Sequence, residues 1–386
     1  MPTGDMVQVH LLTAYPAALL NRDDAGLAKR IVFGGKTRTR VSSQCLKKHW
    51  REAPEITDMG ELAERSIRIY ERWVAEPLVR DHGASEEEAL AIARYLMTNT
   101  VQTEPDTVKY GKETTRSKQL LVLTRAEVRF LTEKAAEILK GLREQGVSAT
   151  DSKTLEKAFP LDKAAKKELE KQLKLLAASV DTALFGRMVT SDLFARVDAA
   201  VSVAHAFTTH EEASEADYFT AVDTLKGADE DSGAGLINET ELTSGVFYTY
   251  AVLDMEQLRG NLGAESDKAE RLASNLVRAM TTVSPGAKRG STAPFAYAEM
   301  VLLERGPQQP RTLANAFLDP VSSNGADQMP ASVKKLLGYR SRLEGMYEPF
   351  EGVQAISTIH TKELPESSPE PKPLRDALGA IFHVEG

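Results

Sequence analysis

The chain has 386 residues, 42% of them hydrophobic, with 48 Lys or Arg against 56 Asp or Glu for a net charge of −8, the profile of an ordinary globular protein of two or three lobes. No run approaches the roughly 18 uncharged apolar residues of a membrane-spanning helix. The opening MPTGDMVQVH has no basic leader before an apolar stretch, and a single cysteine, Cys45, forbids an intrachain disulfide, so a cytoplasmic protein with no membrane partner is expected.

Met6 to Leu11 alternates apolar Val7, Val9 and Leu11 with polar Gln8 and His10, which predicts a strand with one buried face. A loop is expected from Pro16 to Lys29, then Ile31-Val32-Phe33 and a turn or bulge at Gly34-Gly35. Ser42 or Ser43 can cap a helix running through Leu46 to Trp50, with Lys47 and Arg51 four apart on one face. Charge is unevenly spread here. Between Ala25 and Arg51 stand eight cations (Lys29, Arg30, Lys36, Arg38, Arg40, Lys47, Lys48, Arg51) and no acid, so the other 359 residues carry −16. A basic island on an acidic body implies a local polyanion site.

From about Ala53 to Val180 the sequence reads as a mainly helical insertion. Ser85 with Glu88, and Thr124 with Glu127, are capping-box pairs. Leu169, Leu173, Leu176 and Val180 recur at helical spacing in a Lys/Glu-rich run, Asn99 to Arg116 reads as a polar loop, and Gln119 to Leu123 as a short strand. Beyond it, Val201, Val203 and the surroundings of Phe207 look extended, Glu211 to Gly235 is acidic and Gly-rich, and Val246 to Leu253 is a strand. Leu272, Leu276 and Met280 mark a helix ended by Ser284-Pro285-Gly286, Phe295 to Leu303 reads as a strand, and Pro365 to Pro373 as an extended tail before Ile381-Phe382. Strand, helix, strand, helix, strand is an α+β plan compatible with a ferredoxin-like, RNA-recognition-type core.

Catalytic patterns are weak. The seven histidines are scattered, and no HExxH, CxxC or Walker A pattern supports a zinc or nucleotide site. Asp229, Asp231 and Gly233 resemble the start of a calcium loop, but Gly233 stands where an oxygen ligand is needed. Asp23 and Asp24, just before the basic island, could hold a divalent metal for phosphodiester cleavage, or cap a turn and pair with neighbouring cations. The island offers more: its cations suit a salt-dependent grip on a single strand, Gly34 and Gly35 let main-chain N–H groups approach phosphate, and Ser43 and Gln44 add neutral hydrogen bonds. Such a surface reads backbone, not base identity.

Several separated motifs resemble one family in one order: Asn21-Arg-Asp-Asp24, Phe33-Gly-Gly-Lys36, Arg40-Val-Ser-Ser-Gln44 with Leu46-Lys47, Gly186-Arg-Met188, His205-Ala206 with Thr208-Thr-His210, Phe219-Thr-Ala-Val-Asp223, Ser244-Gly-Val-Phe-Tyr248 and Pro285-Gly-Ala-Lys288. They resemble the CasC family, the repeated backbone subunit of the type I-E CRISPR complex Cascade. The resemblance implies a ferredoxin-like palm in two parts, residues 1–52 and 246–386, with helical fingers over 53–180 and a thumb with its connecting segment over 181–245. It implies no enzyme activity and no cofactor or metal. The expected partners are CRISPR RNA, target DNA through that guide, other copies head to tail, and other Cascade subunits. Arg22, Gln44, Lys47 and Arg51 match the palm's RNA grip; Lys29, Lys36, Arg38 and Arg40 join them on charge alone. Arg187 and Met188 would touch the guide near a kink, and Phe219, Thr220 and Leu236 match a thumb wedge. Residues 211–231 hold eight acids and only Lys226, so a thumb there would part bases by apolar insertion. Two competing functions stand beside this one: a metal-dependent ribonuclease using Asp23 or Asp24, and a protein-only scaffold whose basic helix binds an acidic partner.

Overall fold

The alternating opening residues do form a strand, and in the computed structural model that strand lies inside the main sheet. The structure describes residues 4–101, 115–148, 152–189, 191–221, 236–322 and 327–384. In chain order they give β1 (Met6–Ala18), β2 (Arg30–Phe33), β3 (Lys36–Val41), α1 (Ser43–Arg51), β4 (Glu64–Ser66), α2 (Glu86–Val101), β5 (Leu121–Leu123), α3 (Arg125–Glu144), α4 (Lys163–Leu175) and α5 (Val180–Phe185). Then follow β6 (Val201–Val203), β7 (Ala206–Thr208), β8 (Ser214–Ala221), β9 (Leu236–Asp254), α6 (Ser266–Thr282), β10 (Met300–Gly306), α7 (Gln328–Met346), β11 (Val353–Thr358) and α8 (Leu374–Phe382), with a few shorter turns of helix. This is the expected α+β class. The chain falls into two units: residues 1–56, 201–256 and 265–386 form the first, and residues 57–200 and 257–264 the second.

The first unit holds an antiparallel sheet in the order β11-β10-β1-β9-β7-β3-β2, with β6 and β8 also paired to β9. β1 lies between β9 and β10, Val9 standing opposite Ala251 on one side and Leu303 on the other. Both faces are covered. Leu12, Tyr248, Met300, Leu302 and Ile356 pack with Val333, Leu336 and Leu337 of α7. The other face carries Arg305, bound to Asp5, to Glu270 of α6 and to the Ile381 carbonyl of α8.

The alternation in β1 therefore does not mark one wet face. Gln8 and His10 are buried under α7 in a polar network. Glu304 accepts from Arg340 Nε at 2.9 Å and lies 3.1 Å from Arg311 Nη1, while His10 Nδ1 meets the Tyr248 hydroxyl at 2.9 Å. Burial alone would raise the Glu304 carboxyl; His10, Arg311 and Arg340 outweigh it and hold it down at about 2. Burial pushes the His10 imidazole below its usual value against the pull of Glu304.

Other boundaries also moved. β1 continues past Pro16, where its pairing with β9 slips between Tyr15 and Ala18, a bulge that lets the strand hold a proline. β10 begins at Met300, so Phe295 to Glu299 lies outside the sheet. β8 and β9 make a paired ribbon from the acidic stretch, Ser214 facing Thr243 and Ala221 facing Leu236; the calcium-loop fragment at 229–233 lies outside the described residues.

In the second unit Ile92, Leu96, Leu131, Leu139 and Leu173 share one core. Both predicted capping boxes form: Ser85 and Glu88 exchange bonds of 3.0 and 3.2 Å, and Thr124 and Glu127 bonds of 2.8 and 3.1 Å. β5 pairs with β4, the partner its short apolar run needed. The Leu169–Val180 periodicity is split, because Ser179 caps a new helix at Val180. Residues 181–200 also belong here: Asp181 is buried against Arg65 at 2.8 Å, and Arg187 against Glu127. Residues 102–114 of the expected loop lie outside the described residues, whereas 99–101 end α2. Among the described residues no helix is long and apolar enough to cross a membrane.

Candidate nucleic-acid interface

Helix α1 is held in place by the Asn-Arg-Asp-Asp segment before it. Asn21 Oδ1 accepts from the Ser42 N–H at 3.0 Å, and Ser42 in turn caps α1 by accepting from Cys45 N at 3.3 Å. The Asn21 carbonyl accepts from Lys29 N at 3.0 Å, and Asp23 Oδ1 accepts from the N–H groups of Ala25 and Leu27 at 2.9 and 3.0 Å. Asp23 is thus a turn former, which is why an Asx residue is needed there. Among the described residues no group of three or more His, Cys, Asp or Glu is placed to hold a metal ion.

Leu46 and Trp50, four apart, bury one side of α1 beside α6. Helical geometry then puts Ser43, Gln44, Lys47 and Arg51 along one flank and Cys45 and His49 along the other, with Lys48 between. Gln44 and Lys48 are exposed and Ser43, Lys47 and Arg51 half-buried. Burial lowers the Lys47 ammonium from its ordinary value, so an anion brought beside it recovers the lost solvation. No acid occupies the first turn of α1, which leaves the positive end of its dipole uncompensated.

The eight island cations do not act alike. Arg38 is fully buried, donating to the carbonyls of Thr208 at 3.0 Å and Phe317 at 2.9 Å, so it fastens β3 to β7 and cannot reach a phosphate. Arg30 grips Glu212 at 2.7 and 2.9 Å and also pairs with Glu241, while Lys36 lies 3.0 Å from Glu211. Acids of β9 and of the segment before β8 thus neutralise a cation at each end of the β2–β3 hairpin. Lys48 and Arg51 share Glu52 at 3.1 and 3.6 Å. Arg40 donates to the Arg30 carbonyl and meets His205 Nδ1 at 3.0 Å, without a carboxylate. Arg22, exposed, and Lys29, half-buried, have no ion pair among the described residues.

Lys29 and Lys48 both act on the Cys45 thiol, whose pKa burial nevertheless raises, and Lys29 and Arg40 both act on His205, which burial lowers. Arg40 N–H donates to the Lys29 carbonyl at 2.8 Å, and Asn21 accepts from both Lys29 N and Ser42 N, so Arg40 and Lys29 form one cationic band with Lys48 of α1. A residue absent from the sequence expectation joins it: the Arg289 charge also reaches Cys45 and His49. Its signal was the Pro285-Gly-Ala-Lys288 motif, which ends one residue short of it; Ala287 N–H donates to the Leu19 carbonyl at 2.9 Å and Lys288 to Thr240 at 2.5 Å, fixing the turn.

In the Gly34-Gly35 turn, Gly34 serves a different purpose from the one expected, while Gly35 faces open space. Both residues have positive φ, 61° and 72°, and a Cβ on Gly34 would stand 1.7 Å from the Leu318 carbonyl oxygen. The close approach is to the protein itself. Gly34→Ala should lift the hairpin off Leu318 and cost about 1–3 kcal/mol, read as a lowered urea midpoint with unchanged slope.

In the second unit the Gly-Arg-Met turn divides its roles. Gly186, at φ 73°, lets the chain pass where a Cβ would meet Ala199 N at 2.8 Å. Arg187 turns inward: its side chain is fully buried on Glu127, with Nη2 3.0 Å from Oε1, and it donates to the Ala195 carbonyl at 2.7 Å. It is therefore not available to a nucleic acid. Met188 turns outward, 85% exposed. Back in the first unit, Phe219, Thr220 and Leu236 stand at the far end of the ribbon, paired opposite Asn238, Ile237 and Ala221; their side chains lie outside the described residues.

A model of the CT1975-like protein family matches residues 7–376. Comparison with curated proteins gives no match. Among solved structures, a chain described as "CRISPR RNA-guided surveillance complex, pre-nicking" aligns with a TM-score of 0.80 at 25% identity, over 98% of this chain and 100% of that one. A second, described as "CRISPR RNA-guided surveillance complex", aligns with a TM-score of 0.70 at 21% identity, over 98% and 99%, a likeness of fold.

Proposed function

We propose, since the chain belongs to the CT1975-like protein family, that it is a non-catalytic CRISPR RNA-binding backbone subunit of the CasC type, working in the cytoplasm within a type I-E Cascade. The observation that carries this reading is the cationic band along α1, on a chain whose whole length resembles a chain of a CRISPR RNA-guided surveillance complex. β1 between β9 and β10, with helices on the sheet, would be the ferredoxin-like palm. Arg22, Lys29, Gln44, Lys47 and Arg51 would hold the guide by its phosphates, Ser43 and Arg40 assisting. Phosphate contacts fix register without reading sequence, which suits a subunit that must carry any spacer.

Met188 would touch the guide from the second unit, and the ribbon end at Phe219, Thr220 and Leu236 would wedge a nucleotide out. A head-to-tail contact that does not close produces an open helix, so copies would stack along the guide beside other Cascade subunits. Base pairing between that ordered guide and target DNA would then supply sequence specificity. The ribonuclease alternative has less support, because Asp23 Oδ1 is already occupied by two backbone N–H groups.

The test is Lys47→Ala with Arg51→Ala. Each cation withdrawn from a single strand's phosphates lowers the slope of log K against log salt by about 0.7, so the double variant should bind all guide sequences more weakly with a slope shallower by about 1.4. Unchanged affinity and slope would show that α1 is not the grip.

A further inference from the structure

Between α6 and β10 the chain builds a pinned loop that the proposed grip does not use. It starts at the Lys288–Arg289 turn, where the Arg289 guanidinium donates to the Ser284 carbonyl at 2.9 Å. Ser284 then clasps Ala296 twice, its hydroxyl donating to the Ala296 carbonyl and accepting from the Ala296 N–H, each at 3.0 Å. Ala298 N–H donates to the Thr281 carbonyl at 2.9 Å. With Ala296 and Ala298 half-buried and anchored, the residues alternating with them face out. Phe295 and Tyr297 are each 70% exposed.

Two large rings held in water on a fixed backbone offer flat faces that need no rearrangement to take a partner. We propose that Phe295 and Tyr297 form a stacking platform for unpaired bases of the guide RNA, with Arg289 beside them for its phosphates. Three observations select that occupant. Ala287, two residues before Arg289, donates to the Leu19 carbonyl at 2.9 Å while Cys45 of α1 donates to the next carbonyl, Leu20, at 3.9 Å, so the loop starts beside the cationic band. Arg289 is exposed and has no ion pair among the described residues, and the acid nearest in sequence, Glu299, is turned to His360 at 2.7 Å, which leaves the Arg289 charge available to a polyanion. Two positions along an extended chain lie ~7 Å apart, enough for each ring to take its own base. Cations for the backbone with aromatic faces for bases is the combination that binds single strands without regard to sequence, since every base has a π face.

This inference rests on the guide-RNA function proposed above, and its test separates the two. The full chain is titrated with a single-stranded oligoribonucleotide carrying 2-aminopurine, over a range of salt, as wild type and as Phe295→Leu with Tyr297→Leu. Leucine keeps the apolar surface and removes the rings. The expected result is about a tenfold loss of affinity per ring with the salt slope unchanged, and loss of the 2-aminopurine quenching. Equal affinity and quenching in both proteins would overturn the platform while leaving the α1 grip standing. Wild type that binds no RNA would overturn both. Unchanged RNA affinity with an altered mass of the self-assembled particle would assign the rings to a protein neighbour and likewise overturn the platform.

Discussion

Arg187→Met should destabilise the second unit by about 3–5 kcal/mol, the usual cost of leaving one partner of a buried ion pair alone. Glu127 is fully buried, and besides meeting Arg187 it closes the capping box that starts α3 by accepting from Thr124 N at 2.8 Å. Arg187 also satisfies the Ala195 carbonyl at 2.7 Å, so the substitution orphans a carboxylate and a carbonyl together. Burial already raises the Glu127 carboxyl against the opposing pull of Arg187, so without the guanidinium it takes up a proton more readily. The variant's deficit should therefore shrink as pH falls. The two tryptophans allow a clean measurement, because Trp73 belongs to the second unit and Trp50 to the first. Urea unfolding followed by Trp73 in a Trp50→Phe background should show the loss, and Glu127→Met added to Arg187→Met should recover most of it. A normal midpoint with weakened RNA binding would instead return Arg187 to the nucleic-acid surface.

A loss of about 2–3 kcal/mol is expected in the first unit from Glu304→Gln, because Arg311 and Arg340 would keep Glu344 but lose the fully buried carboxylate they share. Arg340 has a side chain only 3% exposed, so water cannot replace the carboxylate. The same group gives the wild type an acid sensitivity of predictable sign. A carboxyl held at about 2 in the folded chain, against an ordinary 4.5, stabilises fully above pH 4.5 and loses that contribution as pH falls towards 2. Such a shift corresponds to about 3 kcal/mol. His10 works in the same direction at higher pH: burial lowers it below its ordinary 6.5, so the unfolded chain takes up its proton first and stability is lost as pH falls below about 6.5. Glu304→Gln should flatten the stability profile between pH 4.5 and 2. If wild type and variant lose stability in parallel there, the carboxylate is not the acid-sensitive group.

What the sequence made legible was mostly local. Ser42, Leu46 and Trp50 lie within nine residues, so cap, buried stripe and cationic flank of α1 could be read together. The capping boxes of α2 and α3 were equally visible, since four residues span each. α7 was hidden although Val333, Leu336, Leu337 and Arg340 follow helical spacing. Pro330 and two glycines, Gly338 and Gly345, interrupt the pattern, but a proline in the first turn lacks only an N–H that would go unpaired there. The site failed where charge was read without its partner. Nothing near Arg38 in sequence foretells carbonyls 170 and 279 residues away, and Lys36 and Arg40 on either side of it meet a glutamate and a histidine instead. Arg187 sits 60 residues from Glu127. Side-chain type announces a cation; only the fold says whether it is spent indoors.

The central place of β1 has a consequence for how the molecule is made. His10 and Tyr248 are 238 residues apart, and both long partners of the first strand emerge from the ribosome late. During synthesis the nascent Val7-Val9-Leu11 segment must wait unpaired while the intervening helices, rich in local contacts, can already settle. The closing of the main sheet is therefore bound to the last part of the chain to be made, while the helices are not.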